Sequence, residues 1–597
     1  MKREELIQKI SEVEREIALL PAGSITKKNI KNNDYYYLRI NKDGKRSETY
    51  IRFEELDELS EQIRCRKNLE KILKVYRKQL TELVLADEQS HEVTTTSGRS
   101  LLAQSAQSAQ SNEEPILRFR TMVRRGSQLK AQCVVARKYK KRECFSELSE
   151  YLYGEVSDKV FVIYGLRRTG KTTMVRQALV EMNDEDFARA AYIQITTKDT
   201  LESLDEDIRL LESNGYKYIF IDEVTLLEDF VEGSAVFADI YASSGMKIVL
   251  SGTDSLGFAL AQSEQLYDRC VMVHTTFIPY REFEEVLGIS GIDEYIRFGG
   301  TMSLGGINYN EKATFASSQS TEAYIDTAIA KNIQHSLKMY EHGGHFRSLL
   351  DLYERGELTN VINRVIENIN HRFTRSVVER TFKSHDISVT AVNMLEIIDK
   401  EAQTIEVADS HMTQIKEYLS MLDLIVDIDL EYLPVTDRRD KFTVISQPGL
   451  RYAQAETIVE NLLKDSKFNE LDASERKLIL NRLLDEVRGR MMEEIVLLET
   501  KLAYPHKQVF KVQFAAGEFD MVVFDPEEPS CEIYEIKHST EQVDAQYRHL
   551  TDENKCSATA HRYGDIKGKY VIYRGECATV DGIQYLNVET YLKQLQY

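Results

Sequence analysis

VFVIYGLRRTGKT, residues 160–172, decides how this chain is read. Val160 to Tyr164 form a short apolar run of the kind that makes a buried parallel strand. The run passes directly into Gly165-Leu166-Arg167-Arg168-Thr169-Gly170-Lys171-Thr172, and TMVRQALVEM (173–182) follows with a helical pattern. This is G-x-x-x-x-G-K-[ST] between a strand and a helix, a loop whose backbone N–H groups curl around phosphates. The helix N-terminus adds its partial positive charge. Lys171 is expected to reach the β- and γ-phosphates, and the Thr172 hydroxyl to ligate Mg²⁺. These eight residues and Thr173 are the candidate nucleotide contacts.

Outward from the loop, KYIFIDEV (217–224) reads as a second buried strand, ending in Asp222 and Glu223. Beside the loop, Asp222 can hold Mg²⁺ through water while Glu223 polarises the attacking water. The next strand, KIVLSGTDSL (247–256), offers Ser251 or Thr253 as a sensor of the γ-phosphate. No N/T-K-x-D element for guanine is evident, so ATP is the expected nucleotide.

The whole chain has 597 residues, 42% hydrophobic and 29% charged, ordinary globular usage with room for about four domains. Only 28 glycines and 8 prolines argue against a collagenous or Gly/Pro-rich disordered chain and favour long helices. No window of 18 apolar residues suggests a membrane span, and MKREELIQKISEVEREI (1–17) lacks a secretory apolar core. Seven scattered cysteines without a C-x-x-C pair fit a reducing, cytoplasmic setting. A net charge of −20 argues against a protein that coats nucleic acid non-specifically.

At the N-terminus, Leu6, Ile10, Val13, Ile17 and Leu20 make a heptad seam, and Leu69, Leu73, Tyr76, Leu80 and Leu83 repeat it. Between them YYYLRINKDGKRSETYIRF (35–53) is rich in strand formers and broken by Asp43-Gly44, a hairpin turn signal. Residues 1–86 therefore read as helix, β-hairpin, helix, with the helices paired as a coiled coil. The hairpin's Arg39, Lys42, Lys45, Arg46 and Arg52 suit either a nucleic-acid backbone or a solvated or dimer-contact face. Residues 87–115, with an AQS repeat, read as a flexible tether. Residues 116–145 then hold ten Lys/Arg against Glu143 alone, a solvated face or a phosphate-facing one.

The order YGLRRTGKTT, IFIDEV, KIVLSGTDS, LYDRCVMVHTTFIPYREF resembles the AAA+/STAND-related P-loop ATPases of bacteria and archaea that end in a restriction-endonuclease-like domain. The resemblance implies an ATPase core over 116–289 and makes Arg269 an arginine finger or sensor, although Asp268 stands where the family often has glycine. It also places Arg142, in YKKRECFSELSEYL (139–152), near the nucleotide. Fingers act on a neighbouring subunit, so a homo-oligomer is implied. Residues 290–445 read as helical, and AVNMLEIIDKEA followed by TQIKEYLSMLDLIVDIDL (413–430) is similar to the winged-helix lid of such cores. His342 and His345 have no evident third ligand and read as a loop at a helix break.

In 446–597 the signal is a second set of acids. GRMMEEIVLLETKLA (489–503) is an amphipathic helix carrying Glu493, followed by the strands VFKVQF, GEFDMVVFD and CEIYEIKHS. Residues two apart on a strand share a face, which sets Glu535 and Lys537 beside Asp520 across the ladder. Two carboxylates and a lysine suit a hard-oxygen Mg²⁺ site and phosphodiester hydrolysis. The pattern resembles the PD-(D/E)xK nucleases, with Phe519 where proline is usual, and Gly489-x-x-x-Glu493 is similar to the first helix, whose glutamate completes the metal site. STEQVDAQYRHLTDE (539–553) reads as a further helix presenting Gln546 and Tyr547 to the site.

The expected fold is thus α/β: an AAA+-type core with a winged-helix lid, a nuclease-like C-terminal domain and an N-terminal coiled-coil module. The function it implies is an ATP-hydrolysing protein whose Mg²⁺-dependent nuclease acts on DNA under nucleotide control, in mobile-element control or defence. The alternative is a nucleotide switch or scaffold whose nuclease-like fold only binds DNA or a partner. A helicase lacks motifs beyond the two nucleotide elements.

Overall fold

The computed structural model describes residues 24–30, 33–42 and 45–51 by their backbone. It also describes 117–597 apart from 157, 276, 303–314, 316–317, 340–345, 359, 363, 367–368, 370–407, 435–437, 454, 457–465 and 597. The chain divides into two units, residues 1–115 and 116–597.

In the first unit, β1 (Ser24–Ile30), β2 (Asn33–Lys42) and β3 (Lys45–Ile51) form an antiparallel sheet in that order. Lys42 pairs with Lys45 across Asp43-Gly44, the expected hairpin. The strand β1 is an addition to the sequence reading: it pairs with β2 from Ile30↔Asn33 to Ser24↔Arg39. Its Ile25 and Thr26 are strand formers that the search for heptads passed over. The heptad segments, the tether and His342-Gly-Gly-His345 lie outside the described residues.

The second unit is built on two sheets. The first contains β4 (Met122–Arg125), β5 (Val160–Tyr164), β6 (Ala190–Gln194), β7 (Tyr218–Asp222), β8 (Lys247–Gly252) and β9 (Cys270–His274). Their order is β4-β6-β7-β8-β5-β9, and every pairing is parallel except that of β4 with β6. Parallel strands covered on both faces must be apolar throughout, and VFVIY and YIFID are. One face packs on Leu148, Val175 and Leu179, the other on Leu204, Ile208 and the helices beyond residue 315. β8 lies between the acidic strand β7 and the phosphate-loop strand β5, and because all three run parallel their C-terminal ends share one sheet edge, which sets Asp222 beside the loop as expected.

The second sheet contains β10 (Ile425–Tyr432), β11 (Arg439–Ile445), β12 (Gln508–Gln513), β13 (Glu518–Asp525), β14 (Ser530–Lys537), β15 (Asp565–Tyr573), β16 (Ala578–Val580) and β17 (Ile583–Asn587). The order is β11-β10-β12-β13-β14-β15-β17-β16. Across one face lies the helix Ala473–Ala503, 31 residues, or about 46 Å at 1.5 Å per residue. Asp472 caps it, accepting from the backbone N–H groups of Ser474 and Glu475. Ile479, Leu483, Val487, Met491, Ile495 and Leu498 form its buried stripe.

Two readings change here. The helix and strand expected over 413–430 are present, but the strand belongs to this second sheet rather than to a lid, because Asp429–Tyr432 pair in parallel with Phe510–Gln513, and AVNMLEIIDKEA lies outside the described residues. Sheet membership therefore runs across residue 446. Residues 539–553 do not form a helix. They hold a 3-10 turn at Asp544–Gln546, and the helix begins at Glu553, where Asp552 caps it. Among the described residues, no helix is long and apolar enough to cross a membrane.

Candidate functional sites

The phosphate loop needs backbone angles that side chains resist. Gly165 has φ +134° and Gly170 φ +95°, and a Cβ on Gly165 would lie 2.7 Å from the Thr275 carbonyl oxygen. Arg168, at φ 67°, is held by its carbonyl accepting from Met302 N (2.7 Å) and by its guanidinium lying over the Tyr324 ring. Lys171 opens the helix Lys171–Glu181 and is buried. Its Nζ donates to the carbonyls of Gly165 (2.7 Å) and Leu166 (2.8 Å). Burial pushes the ammonium down to about 8 against the opposing fields of Glu223 and Asp222. A buried cation satisfied by neutral dipoles is suited to an incoming phosphate.

Asp222 ends β7 and accepts from three hydroxyls: Thr172 (3.1 Å) and Tyr192 (2.6 Å) on Oδ2, and Ser251 (2.5 Å) on Oδ1. Thr172 and Asp222 thus stand together as hard-oxygen donors that fit Mg²⁺. Tyr192 is a neighbour the sequence reading missed. It sits on β6, and no motif marks it. Glu223 is in the left-handed region at φ 58°, a strained position for a non-glycine residue that aims it away from the strand. Burial, then the Asp222 charge, raises its pKa, and the Thr253 hydroxyl donates to its Oε2 (3.3 Å).

Arg142 is buried at the loop, as the resemblance implied. It donates through Nε to Glu282 (2.6 Å) and through its terminal nitrogens to the carbonyls of Thr169 (2.9 Å) and Phe277 (3.1 Å). Arg269 lies elsewhere. Its carbonyl accepts from Val160 N, so it stands at the start of β5 and β9, the sheet edge opposite the phosphate loop. It is 47% exposed and pairs with Asp239 (3.2 Å). No nucleotide in this subunit's own loop is within its reach. Asp268 adopts φ 56°, an angle glycine would take freely, and pairs with Lys159.

In the second sheet, Met521 pairs with Tyr534, so Asp520 and Glu535 occupy the next rung on one face. Lys537 Nζ bridges them, 2.7 Å from Asp520 Oδ2 and 2.6 Å from Glu535 Oε2. Asp520 Oδ2 also accepts from Ile536 N (2.8 Å). Burial opposes charge on Asp520, yet Lys537, Lys511 and that N–H hold its carboxyl well below the usual range. Burial and the Asp520 charge push Glu535 up to about 9. Its Oε1 is buried with no hydrogen-bond partner.

Glu493 reaches this cluster from the long helix but is held by Lys511 Nζ (2.9 Å) and Arg490 (3.1 Å). Lys511, in VFKVQF, is a second site lysine the sequence reading did not single out. Gln546 donates to Ser539 Oγ (2.9 Å) and the Glu541 carbonyl (2.8 Å), and the Tyr547 hydroxyl bonds Asp544 and Asp581. Both fasten the turn rather than face the carboxylates. Among the described residues, no group of three His, Cys, Asp or Glu is already gathered to hold a metal. Asp520 and Glu535, with the bare Oε1, nonetheless offer the two adjacent carboxylates that Mg²⁺ accepts.

Residues 157–284 match the family model described as an AAA domain, and residues 3–61 match one described as DUF6788, a domain of unknown function. The first match covers β5 to β9 and the phosphate loop, and supports an AAA-type P-loop domain over those residues. Among solved structures, the chain is similar to the Aeropyrum pernix ORC1 protein in complex with DNA, at 14% identity and TM-score 0.21, over 55% of this chain and 93% of that one. It is also similar to the S. cerevisiae Hsp104–ADP complex, at 13% identity and TM-score 0.24, over 63% and 50% of the two chains. Drosophila ORC bound to AT-rich DNA and Cdc6 matches at 10% identity and TM-score 0.18, over 56% and 94%. At such TM-scores none of the three informs fold or function. No curated protein matches the chain.

Proposed function

We propose that this protein is an ATP-hydrolysing, Mg²⁺-dependent nuclease acting on DNA, with the AAA-type domain controlling the second sheet. The observation that carries the reading is the bridge of Lys537 across Asp520 and Glu535, on the same folded unit as Lys171, Thr172, Asp222 and Glu223.

In the ATPase site, Lys171 takes the β- and γ-phosphates in exchange for the loop carbonyls. Glu223 orients and polarises the attacking water, and Thr253 fixes the carboxylate that does so. Thr172 and Asp222 would hold Mg²⁺, which would supply neutralisation of the developing phosphate charge. Arg269, exposed at the far sheet edge, would act as a finger on the nucleotide of a neighbouring copy in a homo-oligomer. In the second site Asp520 and Glu535, with Glu493 behind Lys511, would hold Mg²⁺, whose chemistry there is activation of water and of the phosphodiester. Lys537 then stabilises negative charge on the phosphate being cleaved. The protein works in the cytoplasm, free of membranes.

A second reading rests on a specific observation: Glu493 Oε2 is paired with both Lys511 and Arg490, and Lys537 already lies against Asp520 and Glu535. On that reading the fold is a nucleotide-controlled scaffold that binds DNA or a partner without cutting.

The experiment is a cleavage assay with single- and double-stranded DNA and RNA, Mg²⁺ or Mn²⁺, with and without ATP, beside Lys537→Ala. Metal-dependent scission lost in the variant while ATP turnover persists is the expected result. No scission from a preparation that turns over ATP selects the scaffold.

A further inference from the structure

Where the ATPase sheet meets the helices beyond it, a buried polar knot sits among apolar side chains. β8 ends at Gly252, and Thr253 and Asp254 follow. Thr253 is the residue whose hydroxyl holds Glu223. Its carbonyl accepts from Asn332 Nδ2 at 2.7 Å. Asp254 is 2% exposed and caps the helix Ser255–Glu264 through Gly257 N (3.2 Å). The same carboxylate takes Ser336 Oγ on Oδ1 (2.7 Å) and His335 Nδ1 on Oδ2 (3.0 Å). Ser336 Oγ in turn bonds the buried hydroxyl of Tyr418, from the helix Asp409–Met421.

Asn332, His335 and Ser336 stand at i, i+3 and i+4 of the helix Lys331–Met339, so they share one face. Each of the three reaches residue 253 or 254, and Ser336 also reaches Tyr418. Around it lie Ile329, Ile333, Leu349, Ile415 and Leu419, all buried. A carboxylate in such surroundings is costly unless every oxygen is bonded. This one is bonded, but only when the helix 331–339 is docked. His335 shows the same economy from the other side: Nδ1 meets Asp254, which requires its proton there, and Nε2 is buried with no partner.

We infer that Asp254 and His335 are a positioning pair for ATP hydrolysis, a latch through which the helix 331–339 fixes Thr253 and thereby the orientation of Glu223. Neither residue touches the nucleotide. The chain of contacts is Glu223 to Thr253 along the sheet edge, Thr253 and Asp254 to Asn332, His335 and Ser336, and from Ser336 to Tyr418. The last helix runs directly into β10 of the second sheet. Release of the latch lets Glu223 turn while Lys171, held by the carbonyls of Gly165 and Leu166, keeps the phosphate loop competent to bind nucleotide. Docked and undocked helix thus correspond to hydrolysing and merely binding states.

The inference rests on the ATPase reading, and the test separates the two. Steady-state ATP turnover is measured for the full-length wild type, Asp254→Asn, His335→Ala and His335→Asn, with nucleotide affinity measured by a fluorescent ATP analogue. Absent turnover in the wild type overturns the ATPase reading itself, and the latch with it. With an active wild type, the latch requires kcat to fall about tenfold or more in His335→Ala and Asp254→Asn, the loss of one or two charge-assisted hydrogen bonds. KM and analogue affinity stay within about twofold, the signature of an interaction that serves the chemical step. His335→Asn, whose amide N–H can stand where Nδ1–H does, recovers most of kcat. Wild-type turnover in His335→Ala and Asp254→Asn overturns the latch. So does loss of nucleotide affinity in step with kcat, which would mark a merely structural role, and so does failure of His335→Asn to recover more than His335→Ala.

Discussion

Lys171 and Lys537 each stand beside two acids at the end of a sheet, and the two sheets treat them oppositely. Lys171 turns away from Asp222 and Glu223 to the carbonyls of Gly165 and Leu166, while hydroxyls of Thr172, Tyr192 and Ser251 satisfy Asp222. Charge is kept separated by neutral donors and acceptors, and burial lowers the lysine pKa. Lys537 instead lies on its acids, and despite the penalty of burial Asp520 and Glu535 hold its proton more firmly than usual. The first site is arranged to receive an anion and a cation without breaking an internal ion pair. The second must give up a salt bridge to bind a metal or a phosphate, so its occupancy is a competition.

The largest expected effect tests the first half of that contrast. Lys171→Ala removes the only ammonium in the phosphate loop, and loss of one preorganised charge-stabilising donor lowers kcat by about 10²–10³-fold. The second sheet shares no partner with Lys171, so any metal-dependent cleavage that does not need ATP survives in this variant. Turnover assays on both activities check it, and ATP hydrolysis within tenfold of wild type would break the assignment.

Next in size is Lys537→Ala, read by stability rather than activity. Removing one partner of a buried ion pair leaves uncompensated charge and costs about 3–5 kcal/mol. Because the Lys537 side chain is 33% exposed, the lower figure is expected. If the carboxylates compete for cations as argued, millimolar Mg²⁺ restores part of the loss in the variant and shifts the wild type far less. Thermal melts with and without Mg²⁺ measure this, and a variant that melts with the wild type and ignores Mg²⁺ would erase the contrast between the sites.

The contrast also explains what was legible beforehand. The phosphate loop, IFIDEV and the D…ExK strands announce themselves because each demands particular residues at fixed local spacing: glycines where φ is positive, acids at a strand's end, alternate residues on one face. Tyr192, Lys511 and Arg142's partner Glu282 meet their sites only through the fold, at sequence separations no local spacing records. The strand within 413–430 was assigned to a lid for the same reason. Helix followed by strand fits a winged helix locally, and only the parallel register with β12 shows which sheet owns it. The 539–553 segment failed differently: Gln546 takes the Val543 N–H and Asp552 takes those of Asn554 and Lys555, which favours a turn and a cap over one continuous helix.

A third buried acid lies between the two sites and gives the smallest and most specific effect. Glu499, on the long helix that also carries Glu493, accepts from Tyr280 N (2.9 Å) just beyond the ATPase sheet, and burial raises its pKa to about 7 from 4.5. Like Asp222 it is served by neutral donors, but without a lysine nearby to share the site its charge is expensive. Below the unfolded value both states hold the proton, and the native state suffers no penalty. As pH rises toward 7 the unfolded chain releases its proton before the native one does, so stability falls, and above 7 the folded protein carries the full cost of a buried charge. Glu499→Gln mimics the protonated form. Its melting temperature relative to wild type should be nearly unchanged at pH 5 and clearly higher at pH 8, by an equivalent of up to about 3 kcal/mol. A difference that stays constant across that range would mean the carboxylate is ionised throughout, and that cations supplied by the protein balance Glu499 as they balance Asp520.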